Sequence, residues 1–159
     1  MNNKEERKYF HEIDANAIKN TIVIIDIDGT VVCSSRSDAS DEVRHTVRAL
    51  EENNTVYAFS NNFNGTRSRA VAKDLGLPYI ESPYRKPNPK IINYIKKNKE
   101  QLVMIGDKYL TDYLFARFAG GTCIHVRRYT CASDRAASRA ACLLDDAVYA
   151  VAKLFRIAR

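Results

Sequence analysis

Residues 21–30 read Thr-Ile-Val-Ile-Ile-Asp-Ile-Asp-Gly-Thr. The first five are all β-branched, a composition that favours an extended chain. A strand with apolar residues on both alternating sides has no solvent face, so both faces must be covered. That requirement excludes an open antiparallel sheet with one wet side and points to a parallel sheet between helices. An acid in the middle of such a strand would be costly, so Asp26 belongs at its carboxyl end.

The remaining pattern repeats this logic. Asp41 to Asn53 predicts a helix with Val43, Val47 and Leu50 on one face, capped by Ser40 or Asp41 and ended by Asn53-Asn54. Thr55 to Ser60 predicts the second strand, a helix runs from the Asn64-Gly65-Thr66 turn to about Leu75, and Leu77 to Ile80 predicts a short third strand. Pro89 opens a further helix carrying Ile91, Ile92 and Ile95 and ending in a lysine-rich turn. Gln101 to Ile105 and Thr122 to Val126 predict the fourth and fifth strands, with a helix over Thr111 to Phe118 between them. A polar loop over Tyr129 to Ser138 leads to a last amphipathic helix at about 139–157. The expected fold is α/β: a doubly wound, mainly parallel five-stranded sheet with helices on both faces. Residues 1–16 are expected to form an N-terminal extension and residues 17–159 a single domain.

A chain of 159 residues is long enough to bury a core without staples. Cys33, Cys123, Cys131 and Cys142 form no Cys-x-x-Cys pair and no zinc-type cluster with histidine, so they are expected as free thiols in a reducing compartment, cytoplasmic or other. Met1 to Phe10 is charged, with Glu5 and Glu6, unlike a secretory signal or a transit peptide. No apolar run approaches the length of a membrane span. The net charge of +6 favours anionic partners, yet no basic run is dense enough for a nucleic-acid arm, and no stable nucleic-acid partner is expected.

In a parallel α/β sheet, ligands bind beyond the carboxyl ends of the strands. Asp26 and Asp28 end the first predicted strand, Ser60 the second, Lys86 follows the third after a loop, and Gly106-Asp107 follows the fourth, with Asp112 beyond it. Two neighbouring carboxylates repel, and a divalent cation removes that repulsion. Mg²⁺ suits such an oxygen-only set, with Asp107 as the third carboxylate and Asp112 holding a metal-bound water. Gly29 lets the backbone turn away, and Thr30 is placed to orient Asp26. Ser60 and Lys86 suit the non-bridging oxygens and charge of a phosphate.

Asp26-Ile27-Asp28-Gly29-Thr30, Ser60, Lys86 and Gly106-Asp107 with Asp112 resemble the four motifs of the haloacid dehalogenase-like (HAD) phosphatase superfamily, over about Thr21 to Val126. The resemblance implies that Asp26 attacks phosphorus to form an aspartyl phosphate. Asp28 would act as general acid and then base, and would lend its backbone carbonyl to the metal. Ser60 and Lys86 would hold the phosphoryl oxygens and Asp26, while Asp107 and Asp112 anchor Mg²⁺. The intervals Thr30–Asp41 and Asn61–Lys86 leave no room for a cap domain. Ser60-Asn61-Asn62, Arg85-Lys86-Pro87 and the run Gly106 to Asp112 further resemble the YqeG-type group, similar to phosphatidylglycerophosphate phosphatases. Gly29 follows the wider superfamily there, since that group commonly has Asn.

These features imply a phosphate-ester substrate, with a lipid-borne one, such as phosphatidylglycerophosphate, as the leading reading. Asn61 and Arg67 join Thr30, Ser60 and Lys86 as expected substrate-binding residues. The alternatives are nucleotides, polynucleotide ends or sugar phosphates and, outside catalysis, a phosphate-recognising binding module. Val148, Val151, Leu154, Phe155 and Ala158 can share one helix face, with Lys153, Arg156 and Arg159 elsewhere. Such a helix packs on the sheet or lies peripherally on an anionic membrane.

Overall fold

The computed structural model describes residues 7–62, 65–96, 101–134 and 136–155. Four strands form one sheet: β1 (Thr21–Asp26), β2 (Thr55–Phe59), β3 (Gln101–Gly106) and β4 (Thr122–His125). All pairings are parallel, in the order β2-β1-β3-β4, with Ile25 of β1 opposite Ala58 of β2 and Ile105 of β3. The β-branched run thus takes a central position, and all six of its residues are buried.

Alternation along β1 divides the core. Val23 and Ile25 face one side, where Val43, Val47 and Leu50 of α1 (Asp41–Glu51) and Val71 and Ala72 of α2 (Gly65–Asp74) pack. Ile22 and Ile24 face the other side, against Met104, Ile91 of the 3₁₀ helix Pro89–Tyr94, and Phe115 and Ala116 of α3 (Leu114–Phe118). Full burial of each such isoleucine contributes roughly 1.5–3 kcal/mol. Ser40 caps α1, its hydroxyl accepting from Val43 N at 3.4 Å. Asn54 closes the same helix by donating to Leu50 O at 2.8 Å, and its carbonyl accepts from Thr21 N at the start of β1.

Four strands replace the five expected. Leu77–Ile80 reaches β2 only through an isolated bridge between Ala58 and Tyr79, with Ala58 N donating to Pro78 O and Ile80 N to Ala58 O. Pro78 has no N–H to extend the ladder, and so short a segment ends after one bridge. The helix expected from Pro89 is 3₁₀ in form, and its lysine-rich turn lies, beyond Lys96, outside the described residues. Of the N-terminal stretch, Met1 to Glu6 lie outside the described residues. Phe10 is fully buried in the α1 side of the core, and Tyr9 and His11 stack on Tyr129.

Two further expectations are corrected. Cys33 and Cys131 form a disulfide, so only Cys123 and Cys142 are free, and the argument from four thiols to a reducing compartment falls away. The two cysteines are 98 positions apart, and only the fold brings their loops together. The last helix, α4 (Ala136–Leu154), divides its apolar residues between a packed face and an exposed one. Val148, Tyr149 and Ala152 pack on Tyr109 and Tyr113, whereas Leu143, Leu144, Val151, Leu154 and Phe155 are exposed. Ala158, Arg156 and Arg159 lie outside the described residues. No helix among the described residues is long and apolar enough to cross a membrane.

Candidate active site

The carboxyl ends of the strands share one edge of the sheet, and the polar residues singled out above gather there. Asp26 ends β1 almost fully buried, and Lys86, 4% exposed, reaches it from the loop before the 3₁₀ helix. The Lys86 ammonium donates to Asp26 Oδ1 and lies 2.6 Å from Asp112 Oδ1. Burial opposes that charge, but Asp112 and Asp26 outweigh it and raise the Lys86 pKa. Burial dominates at Asp26, pushing its carboxyl up to about 7, with Lys86 opposing and Asp112 reinforcing the shift.

Asp107 follows β3 and is fully buried. Burial would raise its pKa, yet Lys108 and Arg128 hold it below the ordinary value. Thr30, expected to orient Asp26, instead donates to Asp107 Oδ1 at 3.3 Å, and it is fully buried. Gly29 makes this contact possible: its φ is +90°, and a Cβ there would lie 2.8 Å from Asp107 Oδ2 and 3.1 Å from Arg128 Cγ. Gly106 has a similar task, because a Cβ on it would overlap the carboxyl group of Asp112. Asp112 sits in a π-helical turn, Tyr109–Tyr113, and its Oδ2 accepts from Lys108 N at 3.0 Å. Gly106→Ala should therefore push Asp112 off Lys86 and cost roughly 1–3 kcal/mol of stability, as overpacking does. Urea unfolding of purified Gly106→Ala in chelator checks this.

The other predicted residues form a second group. Ser60 donates to Asp28 Oδ2 at 2.6 Å rather than to Asp26, and Arg67 ion-pairs with Asp28 Oδ1 while donating to Cys33 O at 2.8 Å. Asn61 does not face outward for a ligand. Its Nδ2 donates to Lys86 O and its Oδ1 accepts from Lys86 N, both at 2.8 Å, so it fixes the backbone that carries the ammonium. Beside Ser60 opens a recess of about 240 Å³ whose walls include Arg69, Tyr79, Tyr84 and Arg85.

Sequence reasoning assigned no role to several residues the fold brings in. Arg128 bonds both Asp107 Oδ2 and Asp107 O, and reaches Asp146 of α4 at 3.1 Å. Asp145 accepts from Tyr109 N and Leu110 N, both at 2.8 Å, which caps the turn that carries Asp112. His125 bonds Asp107 O at 2.9 Å. The signals were present: Arg128 lies just past a strand end, and Asp145-Asp146 interrupts the otherwise apolar stretch Ala140–Ala152 of the last helix.

Oxygens of Asp26, Asp107 and Asp112 all lie within 4.8 Å of one another. Asp26 Oδ2 is buried and has no hydrogen-bond partner among the described residues. An orphaned carboxylate oxygen beside two further buried carboxylates fits a hard divalent cation. The Asp28 side chain stands outside this trio, but its backbone carbonyl faces the same side, 3.2 Å from Lys108 Nζ.

Comparison with known proteins bears on the fold and the family. The magnesium-bound HAD-hydrolase YfnB from Bacillus subtilis superposes with a TM-score of 0.50 at 11% identity, over 67% of this chain and 86% of that one, a likeness of fold. YqeG of Bacillus subtilis (strain 168), described as a probable phosphatase, is 32% identical over 96 residues, 58% of this chain. The match spans 55% of the length of YqeG. Neither interval between the motifs holds a cap domain, and the profile of the family described as mitochondrial PGP phosphatase matches residues 6–129. With its acids at the strand ends of a capless HAD fold, the chain belongs to that family.

Proposed function

We propose that this chain is a Mg²⁺-dependent phosphomonoesterase acting through an aspartyl phosphate on Asp26. The observation that carries the reading is the buried Asp26–Lys86–Asp112 cluster, with one Asp26 oxygen left without a hydrogen-bond partner among the described residues. A carboxylate oxygen of Asp26 attacks phosphorus, and the bond from phosphorus to the leaving oxygen breaks. Asp28 gives that oxygen its proton. In the second half, water attacks the aspartyl phosphate, Asp28 takes its proton, and inorganic phosphate leaves with Asp26 restored. Lys86 holds Asp26 in line, Ser60 and Arg67 hold Asp28, and Asn61 fixes Lys86. Asp26, Asp107, Asp112 and the Asp28 carbonyl would hold the cation, which offsets phosphoryl charge when bound. Magnesium in the YfnB structure supports that choice of ion.

The substrate we propose is a lipid-borne phosphate ester, phosphatidylglycerophosphate or a close relative, met at a membrane surface. The family description, the absence of a cap over the site and the exposed apolar residues of α4 support this. An apolar helix face can enter the interfacial region of a bilayer, and a net charge of +6 favours an anionic one. Phosphate release from phosphatidylglycerophosphate in liposomes should exceed that from soluble sugar phosphates by at least about 100-fold in kcat/KM, with both stopped by chelator. Equal or reversed preference would remove the lipid substrate and leave the phosphatase reading standing.

A further inference from the structure

Lys108 stands in the site without a part in the proposed chemistry. Its ammonium lies 3.2 Å from Asp28 O and 3.5 Å from Asp107 Oδ1. Asp26 and Asp112 also act on it electrostatically, along with Asp107. Its side chain is 28% exposed, whereas Lys86 is sealed in at 1%. The two lysines therefore differ in kind. Lys86 is locked between Asp26 and Asp112, with its backbone pinned by Asn61. Lys108 carries its charge on a flexible stem with a way out to solvent.

Asp28 O and Asp107 Oδ1 are also oxygens that the metal-dependent reading assigns to the cation, and the inference rests on that reading. A divalent ion held by both oxygens would stand within a few ångströms of the ammonium and repel it. We propose that Lys108 is a resident counter-cation of the acid cluster, claiming the oxygens that a divalent ion needs and swinging outward when that ion binds. Lys108 then sets the metal affinity of the site. It holds the carboxylates together when the ion is out. When the ion is in, its ammonium is released towards the open edge, where a phosphate ester arrives.

Two measurements test this without reading turnover. The first is titration of the purified full chain with Mn²⁺ alone, followed by electron paramagnetic resonance. Lys108→Met keeps the stem and removes the charge, and should tighten Mn²⁺ binding about tenfold, since a cation is removed from within contact range of the ligands. Lys108→Arg keeps the charge and should stay much nearer the parent. The second uses the parent chain, so it does not depend on a variant folding. Amine-selective labelling read by mass spectrometry should rise several-fold at Lys108 when saturating Mg²⁺ is added, with Lys86 unlabelled throughout. Unchanged affinity in Lys108→Met, or labelling of Lys108 that is indifferent to or suppressed by Mg²⁺, overturns the proposal. If the parent binds Mn²⁺ and Lys108→Met binds it no tighter, only this proposal fails. If the parent binds no Mn²⁺, it falls together with the metal-dependent reading.

Discussion

Asp26→Asn should release no phosphate above background from any ester the parent hydrolyses, a loss of at least about 10⁴-fold in kcat. The amide keeps the shape of the side chain and can still meet Lys86, but it is too poor a nucleophile to form the acyl phosphate. The variant should remain folded, since Lys86 retains Asp112 as a partner 2.6 Å away. Its stability should also respond differently to pH. The folded-state pKa of Asp26 is about 7, above the ordinary 3.8, so the unfolded chain releases this proton first as pH rises. Asp26 therefore costs the parent stability progressively between about pH 4 and 7. In chelator, the stability of Asp26→Asn relative to the parent should rise over that window. A difference that stays flat, measured by urea unfolding at several pH values, would show that burial does not control this acid. Phosphate release by pure Asp26→Asn at the parental rate would remove the nucleophile assignment.

Lys86→Met carries the second large effect. The substitution leaves Asp26 and Asp112 buried beside each other with no ammonium between them. Removing one partner from a buried ionic cluster typically costs about 3–5 kcal/mol. A surface lysine would move stability by no more than about 0.5 kcal/mol. Urea unfolding in chelator separates these cases, and Mg²⁺ should restore part of the loss, because it replaces one positive charge by another. Activity should stay low even at saturating Mg²⁺, since no other described side chain donates to Asp26 Oδ1. A drop below about 1 kcal/mol in chelator would mean that the carboxylates simply take up protons in its place.

The contacts at this site show where sequence reading succeeds. Asp26, Ser60 and Asp107 were placed at one edge because each ends a β-branched or apolar run, and parallel strands put their carboxyl ends together. That inference needed only periodicity. It could not say which side chain meets which. Ser60 and Thr30 were assigned to Asp26, and the fold gives Ser60 to Asp28 and Thr30 to Asp107. Asn61, placed on the substrate, holds the Lys86 backbone instead. All three side chains reach partners on other strands or loops, 25 to 77 positions away.

The same limit explains the residues left out. The position of Arg128 past a strand end and the acids inside the last helix mark these residues, but nothing local names Asp107 as the partner of Arg128 or the Tyr109 and Leu110 amides as those of Asp145. The first contact depends on β4 pairing beside β3, and the second on α4 lying against the turn after β3. The disulfide between Cys33 and Cys131 is the extreme case, since no spacing rule predicts a pairing across most of the domain. The strand count failed for a smaller reason: Pro78 cannot donate, and a four-residue segment at an edge makes a bridge rather than a ladder.

The sequence by itself determined that the chain builds a parallel sheet buried on both faces and brings its acids to one edge. Hydrophobic periodicity acts locally and decides both. Only the tertiary structure decided how those acids are shared out: Asp26 and Asp112 to Lys86, Asp28 to Ser60 and Arg67, Asp107 to Thr30, Lys108 and Arg128. Charge–charge and hydrogen-bond choices depend on distances of a few ångströms between separate elements, and those exist only once the elements have packed.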